Sequence, residues 1–207
     1  MKKNILLLTL LLVVVLIISL SFLKYQEKSE IKNNFIEITP IVGQKEIIED
    51  FYPVAEFRQR ITKKSFGDYI NPQNSPVLPE RFEGFHTGVD VEYEDIKDEV
   101  AVFAVCDGEV VLSRWVSGYG GTLILKCQNN YYLYGHLNID SIVKKTKTLK
   151  GEQVAVLGEG KTQETDFERK HLHFSINKKS ADLRGYVKDE KELNNWSNPL
   201  ESDIYRQ

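Results

Sequence analysis

Short apolar runs separated by turn residues are the feature that most constrains the fold of this chain. Beyond residue 51, runs such as 100–105, 122–127 and 172–176 alternate with clusters of Gly, Asn and Asp. None of these runs has the periodicity of a long amphipathic helix, and their spacing is typical of strands. We therefore predict an all-β domain over residues 51–207, either a small antiparallel β-sandwich or a hybrid of barrel and sandwich.

The dipeptide Asp107-Gly108 is a strong turn signal within this domain. It follows the apolar run 100–105 and precedes a second apolar segment at 109–112. Because Asp-Gly favours the tight turns that join antiparallel strands, the sequence predicts a β-hairpin here.

The first 24 residues predict a transmembrane anchor. Lys2 and Lys3 precede an apolar run at residues 5–23, and about 20 helical residues are needed to cross a bilayer. No small-residue cleavage site follows the run, which disfavours the alternative, a cleaved signal peptide. We expect a single-pass membrane protein with the segment 1–24 as anchor, residues 25–50 as a polar linker, and the β-domain on the extracytoplasmic side.

Composition excludes several classes of function. The net charge is −3, so there is no basic excess of the kind that binds nucleic acid. The chain has neither a G-x-S-x-G nucleophile elbow nor a P-loop. Its two cysteines, Cys106 and Cys127, form no C-x-x-C motif, which excludes a Cys-rich zinc site. An exported domain permits a disulfide between them, but two buried thiols are equally compatible with the sequence, which does not determine an oligomeric state either.

The histidines carry the strongest chemical signal. His171 and His173 lie two residues apart in a predicted strand, so they project from one face while Leu172 points to the core. Such a pair suits a metal ligand with an acid–base neighbour, or two surface histidines on an edge strand. His136 ends another predicted strand, where it is either an active-site residue or a hydrogen-bonded turn residue.

A second potential chelating pair precedes them in the sequence. If the segment 86–90 is extended, His86, Gly88 and Asp90 share a face, and Gly88 leaves room for a metal or substrate. Together with His173 these residues make a His₂Asp set, and catalytic zinc commonly has three such ligands and an open position. The alternative is a structural histidine and a turn aspartate.

Taken together, these blocks resemble the lysostaphin-type zinc metallopeptidases, the glycyl-glycine endopeptidases of bacterial cell walls. The resemblance spans roughly residues 60–200 and includes the blocks at 65–69, 104–110 and 150–158 and the closing Asn-Pro at 198–199. It implies that Zn²⁺ is bound by His86, Asp90 and His173. It assigns His136 and His171 to catalysis.

The resemblance further implies an endopeptidase that hydrolyses stem or cross-bridge peptides of bacterial peptidoglycan. We expect His171 to be the base, because it lies two residues from a zinc ligand, and His136 to stabilise the oxyanion or protonate the leaving amine. The sequence also allows these two roles to be exchanged. Alternatives are a catalytically silent member of the fold that activates or scaffolds another wall hydrolase, and a wall-binding module.

Two segments depart from the family pattern. The loop 162–170 before the last histidine pair is charged where the family has small residues, and the segment 92–99 after Asp90 is acidic. We expect both to border the groove and to affect substrate preference rather than the metal site.

Overall fold

The computed structural model describes residues 51–206. The predicted anchor at 1–24 and linker at 25–50 lie outside the described residues. Within 51–206, no helix has the length and apolar character needed to span a membrane.

The described chain consists almost entirely of short strands. The strands are β1 Tyr69–Ile70, β2 Gly84–His86, β3 Gly88–Glu92, β4 Ala101–Phe103, β5 Gly108–Val116, β6 Gly120–Cys127, β7 Asn130–Leu137, β8 Lys147–Thr148, β9 Gln153–Val156, β10 His171–Asn177, β11 Tyr186–Val187 and β12 Trp196–Ser197. The α-helix α1 spans Glu190–Leu193, and 3₁₀ helices span Ile139–Ser141, Gln163–Thr165, Pro199–Glu201 and Asp203–Arg206. The prediction of a mostly β, antiparallel domain is confirmed; its classification as a sandwich or hybrid stays a prediction.

The largest sheet positions the site. It runs in the order β12-β10-β7-β6-β5-β8, and β3 also pairs with β10. Two smaller sheets have the orders β1-β2-β11 and β4-β9. Strand β10 lies between β3 and β7, where His173 is opposite Asp90 on one side and Gly135 on the other. This pairing brings three blocks that are distant in sequence to one place.

Strand β10 is buried on both of its faces, and the two faces differ in chemistry. Leu172, Phe174 and Ile176 point into the hydrophobic core, as predicted for Leu172 from the two-residue period. His171 and His173 alternate with them and are also buried, at 2% and 4% exposure. Packing of the apolar side chains against the core therefore fixes the strand that carries His171 and His173 on its other face.

The hairpin predicted at Asp107-Gly108 is wrong. Strand β4 pairs with β9, whereas β5 pairs with β6 and β8. Glycine at position 108 leaves room for the Cys127 sulfur, which would lie only 2.8 Å from a Cβ atom there. Cys127 is bonded to Cys106, which lies just before β5, and this disulfide ties the start of β5 to the end of β6.

Candidate metal centre

The three predicted metal ligands lie together. His86 ends β2, Asp90 lies in β3, and His173 lies in β10. His86 Nε2 is 3.1 Å from His173 Nδ1 and 3.4 Å from Asp90 Oδ1, and His173 Nδ1 is 3.1 Å from the same oxygen. All three residues are buried, with exposures of 1–4%. Three donor atoms thus form one nearly equilateral triangle.

The size of this triangle suits a small divalent ion. Ligands bound tetrahedrally at zinc distances of about 2.0–2.1 Å lie about 3.3 Å apart. The observed edges of 3.1 and 3.4 Å agree with that spacing. Among the described residues, these three make up the cluster of His, Cys, Asp and Glu that can hold a metal ion. The donor set therefore fits a zinc-type cation.

Hydrogen bonds turn the correct nitrogen of each ligand toward the cluster. His86 Nδ1 is 3.2 Å from the Ser65 carbonyl oxygen; because a carbonyl only accepts, Nδ1 donates and Nε2 keeps its lone pair. His173 Nε2 is 3.4 Å from the Tyr119 hydroxyl, so its Nδ1 is the nitrogen left for the ion. Such partners orient metal-binding imidazoles in general.

The charge states of the ligands also suit a cation. Burial by itself raises the pKa of Asp90, but the neighbouring His86 and His171 outweigh it and hold the pKa well below its usual range. Burial lowers the pKa of His173. An ionised carboxylate and a neutral imidazole are the forms that bind metals.

The two predicted catalytic histidines lie beside the ligands. The rings of His136 and His171 have centroids 4.2 Å apart, and His171 Nε2 is 3.7 Å from Asp90 Oδ2. His136 Nδ1 lies 3.2 Å from the Glu164 carbonyl and His171 Nδ1 lies 2.7 Å from the Arg169 carbonyl. Both Nδ1 atoms therefore donate, and in the neutral ring each Nε2 is free to accept a proton.

Burial keeps both of these histidines neutral. It lowers the pKa of His136 to about 4. It also lowers the pKa of His171, and the neighbouring His136 and Arg169 lower it further. Near pH 7 both rings are available as bases.

His136 is placed by an unusual backbone. Its φ is +63°, a left-handed conformation that is uncommon outside glycine and is often found at functional sites. The β6–β7 pairing shifts register at this point. The preceding Gly135 is required by packing, because a Cβ there would lie 2.5 Å from the Tyr119 ring.

A groove of about 460 Å³ opens over the five side chains. One wall is aromatic: Phe82 stacks on Tyr186 at 5.4 Å, and Tyr186 in turn packs against His86 at 5.2 Å. The turn between β5 and β6, including Tyr119, lines the groove as well. Its size is that of a site for a small ligand or a segment of a polymer.

Several residues of the site were not predicted from the sequence. Tyr119 and Ser65 contact ligand histidines, and Arg169 contacts Asp90. Gly88 has a different role from the one expected, since a Cβ there would lie 2.5 Å from the Phe174 carbonyl oxygen. The close neighbour of Gly88 is therefore strand β10. The block around Ser65 was part of the family resemblance, and Tyr119 lies in a predicted glycine-rich turn. Neither pattern indicates which backbone or side-chain group reaches a ligand.

A buried His–Asp–His donor set beneath a groove in an antiparallel β-domain has the features of a metallopeptidase domain. Residues 84–184 match the model of peptidase family M23. This segment is therefore an M23 domain, and the predicted resemblance to lysostaphin-type peptidases is confirmed. No curated protein matches the chain at a significant level.

Solved structures with a similar fold include a chain of the SpoIIQ–SpoIIIAH pore-forming complex. It has a TM-score of 0.50 and 18% identity, covering 74% of this chain and 90% of that one. The catalytic domain of the antimicrobial peptidase lysostaphin from Staphylococcus simulans has a TM-score of 0.49 and 19% identity, covering 72% and 96%. LytU has a TM-score of 0.45 and 25% identity, covering 68% and 81%.

Proposed function

We propose that this chain is a zinc-dependent endopeptidase that hydrolyses peptide bonds in the stem or cross-bridge peptides of bacterial peptidoglycan. One observation carries the proposal: three donor atoms lie within 3.1–3.4 Å of one another, and two neutral histidines lie beside them on the same groove. The match of residues 84–184 to peptidase family M23 also supports hydrolysis of a peptide bond.

The residues that would hold zinc are His86 through Nε2, His173 through Nδ1 and Asp90 through Oδ1. When bound, zinc lowers the pKa of a coordinated water to about 7 and polarises a carbonyl group. The chain's own contribution is to supply neutral nitrogen donors in a site shielded from bulk water, together with two proton acceptors.

His171 is the better placed of the two bases. Its Nε2 is 3.7 Å from Asp90 Oδ2, so it lies beside a metal ligand and can take the proton of the attacking water. His136 starts with Nε2 unprotonated, because its Nδ1 donates to Glu164. It can therefore protonate the leaving amine only after it has itself received a proton.

Tyr119 is placed to stabilise negative charge on the substrate. With Nδ1 of His173 bound to the ion, its Nε2 would carry the ring hydrogen and donate it to the Tyr119 hydroxyl, 3.4 Å away. The phenolic hydrogen would then be free to donate into the groove. Burial raises the pKa of Tyr119 far above its usual range, so the hydroxyl keeps that hydrogen at any physiological pH. Hydrogen-bond donors of this kind typically raise kcat by a factor of about 10²–10³.

The proposed location places the domain in the same compartment as its proposed substrate. We propose that residues 1–24 anchor the chain in the cell membrane and that residues 25–50 carry the domain on the outer side. The disulfide between Cys106 and Cys127 supports an oxidising, extracytoplasmic compartment. Peptidoglycan lies in that compartment.

A direct test uses the full chain, purified in detergent with one equivalent of Zn²⁺ and incubated with peptidoglycan sacculi. We expect mass spectrometry to detect released peptides, a chelator to stop the release, and added Zn²⁺ to restore it. Asp90→Asn should release nothing, whereas Asp140→Asn, an exposed aspartate, should match the wild type. Equal release by Asp90→Asn would refute the proposal.

A scaffolding role is the second candidate, because the fold itself also occurs in the SpoIIQ–SpoIIIAH pore-forming complex. Fold alone does not determine activity. The two candidates differ in metal content: an endopeptidase binds one zinc per chain, whereas a scaffold does not depend on it. Metal analysis of the purified chain, combined with the sacculus assay, separates them.

A further inference from the structure

The two segments that depart from the family pattern meet beside the metal ligands. Glu92 ends β3, and Arg169 lies two residues before His171 at the start of β10. The antiparallel register places His171 opposite Glu92. Both residues are buried, with exposures of 8% for Glu92 and 4% for Arg169. They therefore contribute to the interior of the site. The expectation that the loop 162–170 borders the groove is confirmed as well, since Asp166 and Glu168 line it.

Arg169 is held by Glu92 through several hydrogen bonds. Its Nε donates to both carboxylate oxygens of Glu92, at 2.9 and 2.7 Å, and its Nη2 donates to Glu92 Oε1 at 2.8 Å. Nη1 pairs with Glu168 on another side. The planar guanidinium is thus fixed in position and orientation, which a single ammonium group would not be.

The same guanidinium also binds the metal ligand Asp90. Arg169 Nη2 donates to Asp90 Oδ2 at 2.9 Å, while Asp90 Oδ1 faces His86 and His173 at 3.4 and 3.1 Å. The two oxygens of one carboxylate therefore have different partners. An oxygen engaged by a buried cation is a poor second ligand for another cation, because the two positive charges would compete for it.

We propose that Arg169 is a positioning residue for Asp90, held in place by Glu92, that restricts this carboxylate to a single oxygen as metal ligand. The proposal rests on the proposed binding of zinc at this site. With one oxygen from Asp90 and one nitrogen from each histidine, the ion keeps an open position toward the groove. Residues that orient a ligand in this way typically change metal affinity by about 10–100-fold.

The test compares zinc affinity in the full chain, measured by competition with a chromophoric chelator. Arg169→Met should weaken zinc binding by about 10–100-fold. Arg114→Met is the matched control, since Arg114 is exposed on β5, and it should bind zinc as the wild type does. Unchanged affinity in Arg169→Met would overturn the proposal.

A spectroscopic readout separates positioning from a general loss of stability. Cobalt(II) in place of zinc reports coordination number through its visible absorption, which weakens as the number rises from four to five. We expect weaker absorption in Arg169→Met, because both oxygens of Asp90 become free to bind the ion. A spectrum equal to that of the wild type would contradict the proposal, whatever the stability of the variant.

Other variants cover the case in which Arg169→Met does not fold, as judged by circular dichroism in the presence of chelator. The double variant Arg169→Met/Glu92→Met removes both buried charges, and such replacements are often tolerated. Glu92→Gln keeps the shape and loosens the hold on Arg169. Weaker zinc binding in either variant supports the proposal, and wild-type affinity in both overturns it.

These outcomes remain distinct from failure of the proposed function. If the wild-type chain binds no zinc in the competition assay, the metal proposal itself is wrong and the role of Arg169 with it. If the wild type binds zinc and Arg169→Met binds it equally well, the endopeptidase proposal stands and the positioning role alone is refuted.

Discussion

Two groups of buried polar side chains meet at Asp90, and they are stabilised in opposite ways. The imidazole set consists of His86, His136, His171 and His173. The charged cluster consists of buried Lys64, Glu80, Glu92 and Arg169 together with the partly exposed Glu168. Asp90 Oδ1 faces His86 and His173 of the first group. Oδ2 accepts a hydrogen bond from Arg169 of the second group and also lies 3.7 Å from His171 Nε2. Burial disfavours charge in both, but three of the four imidazoles have a lowered pKa, whereas the members of the charged cluster are arranged in ion pairs.

The difference shows how one buried region can hold both reactive and structural groups. An imidazole can bind a cation or accept a proton only when it is neutral and one ring nitrogen has a free lone pair. A side chain that must hold another in place is useful when it is charged and fully paired. Substitutions in the imidazole set should therefore affect zinc and activity, and those in the charged cluster should affect stability or ligand orientation.

The largest effect is expected for His173→Ala. Loss of one of three ligands should remove zinc and reduce peptide release to the level of chelator-treated wild type. Ser175→Ala, on the same face of β10, is the control and should retain both. Zinc content by mass spectrometry and peptide release by chromatography check this, and a variant that keeps its zinc would contradict the proposed ligand set.

His136→Ala and His171→Ala should reduce kcat by about 10²–10⁴ each, the range for loss of an acid–base group. Neither residue is a proposed ligand, so zinc content should remain at one per chain. Steady-state kinetics on a soluble peptide substrate, together with metal analysis, test this. Loss of zinc in either variant would mean that the substituted histidine is a metal ligand and not a base.

Glu80→Gln tests the charged cluster. Glu80 lies 2.8 Å from Lys64, and both side chains are almost fully buried. Removal of Glu80 leaves the buried Lys64 charge with Glu168 alone, at the longer distance of 3.8 Å. Because loss of one partner of a buried pair is strongly destabilising, we expect a loss of at most about 3–5 kcal/mol in the free energy of unfolding at neutral pH. Denaturant titration of the zinc-loaded chain measures it, and zinc content should stay unchanged.

The same pair predicts a dependence on pH. Burial by itself raises the pKa of Glu80, but hydrogen bonds from Lys64 and the Phe82 amide lower it below its ordinary value of 4.5. The stabilisation is therefore complete above pH 4.5 and is lost as the pH falls through the lowered pKa in the folded state. The difference between wild type and Glu80→Gln should shrink below pH 4.5; a difference that grows there would contradict the assignment.

The smallest effect is expected for Glu94→Gln, which removes two ion pairs at the surface, one with Lys161 and a longer one of 3.8 Å with Lys63. Glu94 lies 3.2 Å from Lys161, with side-chain exposures of 49% and 75%. Exposed pairs contribute at most about 1 kcal/mol, so the variant should unfold almost as the wild type does. A loss as large as that of Glu80→Gln would mean that burial is not what separates the two pairs.

Much of the site was predictable because it depends on local geometry. The two-residue period of a strand placed His171 and His173 on one face and Leu172 in the core, and the structure agrees. The roles of these residues in catalysis stay predictions. The hairpin at Asp107-Gly108 was wrong because turn propensity describes four residues, whereas strand partners are chosen by packing over the whole domain.

Gly88 and Arg169 mark the limit of local reasoning. Both were noticed in the sequence, yet Gly88 is required by the backbone of β10, and Arg169 holds a metal ligand in addition to belonging to a charged loop. Nothing in the residues around either position indicates its partner.

The sequence by itself determined which side chains can carry the chemistry: four histidines and an aspartate in strand-like blocks, with the period that sets their faces. Only the tertiary structure decided which atoms of those side chains meet, and that Arg169 and Glu92, 77 positions apart, pair beside Asp90. The physical reason is one of range. Side-chain direction follows from the backbone of a few neighbouring residues, whereas contacts between strands depend on how the entire core packs.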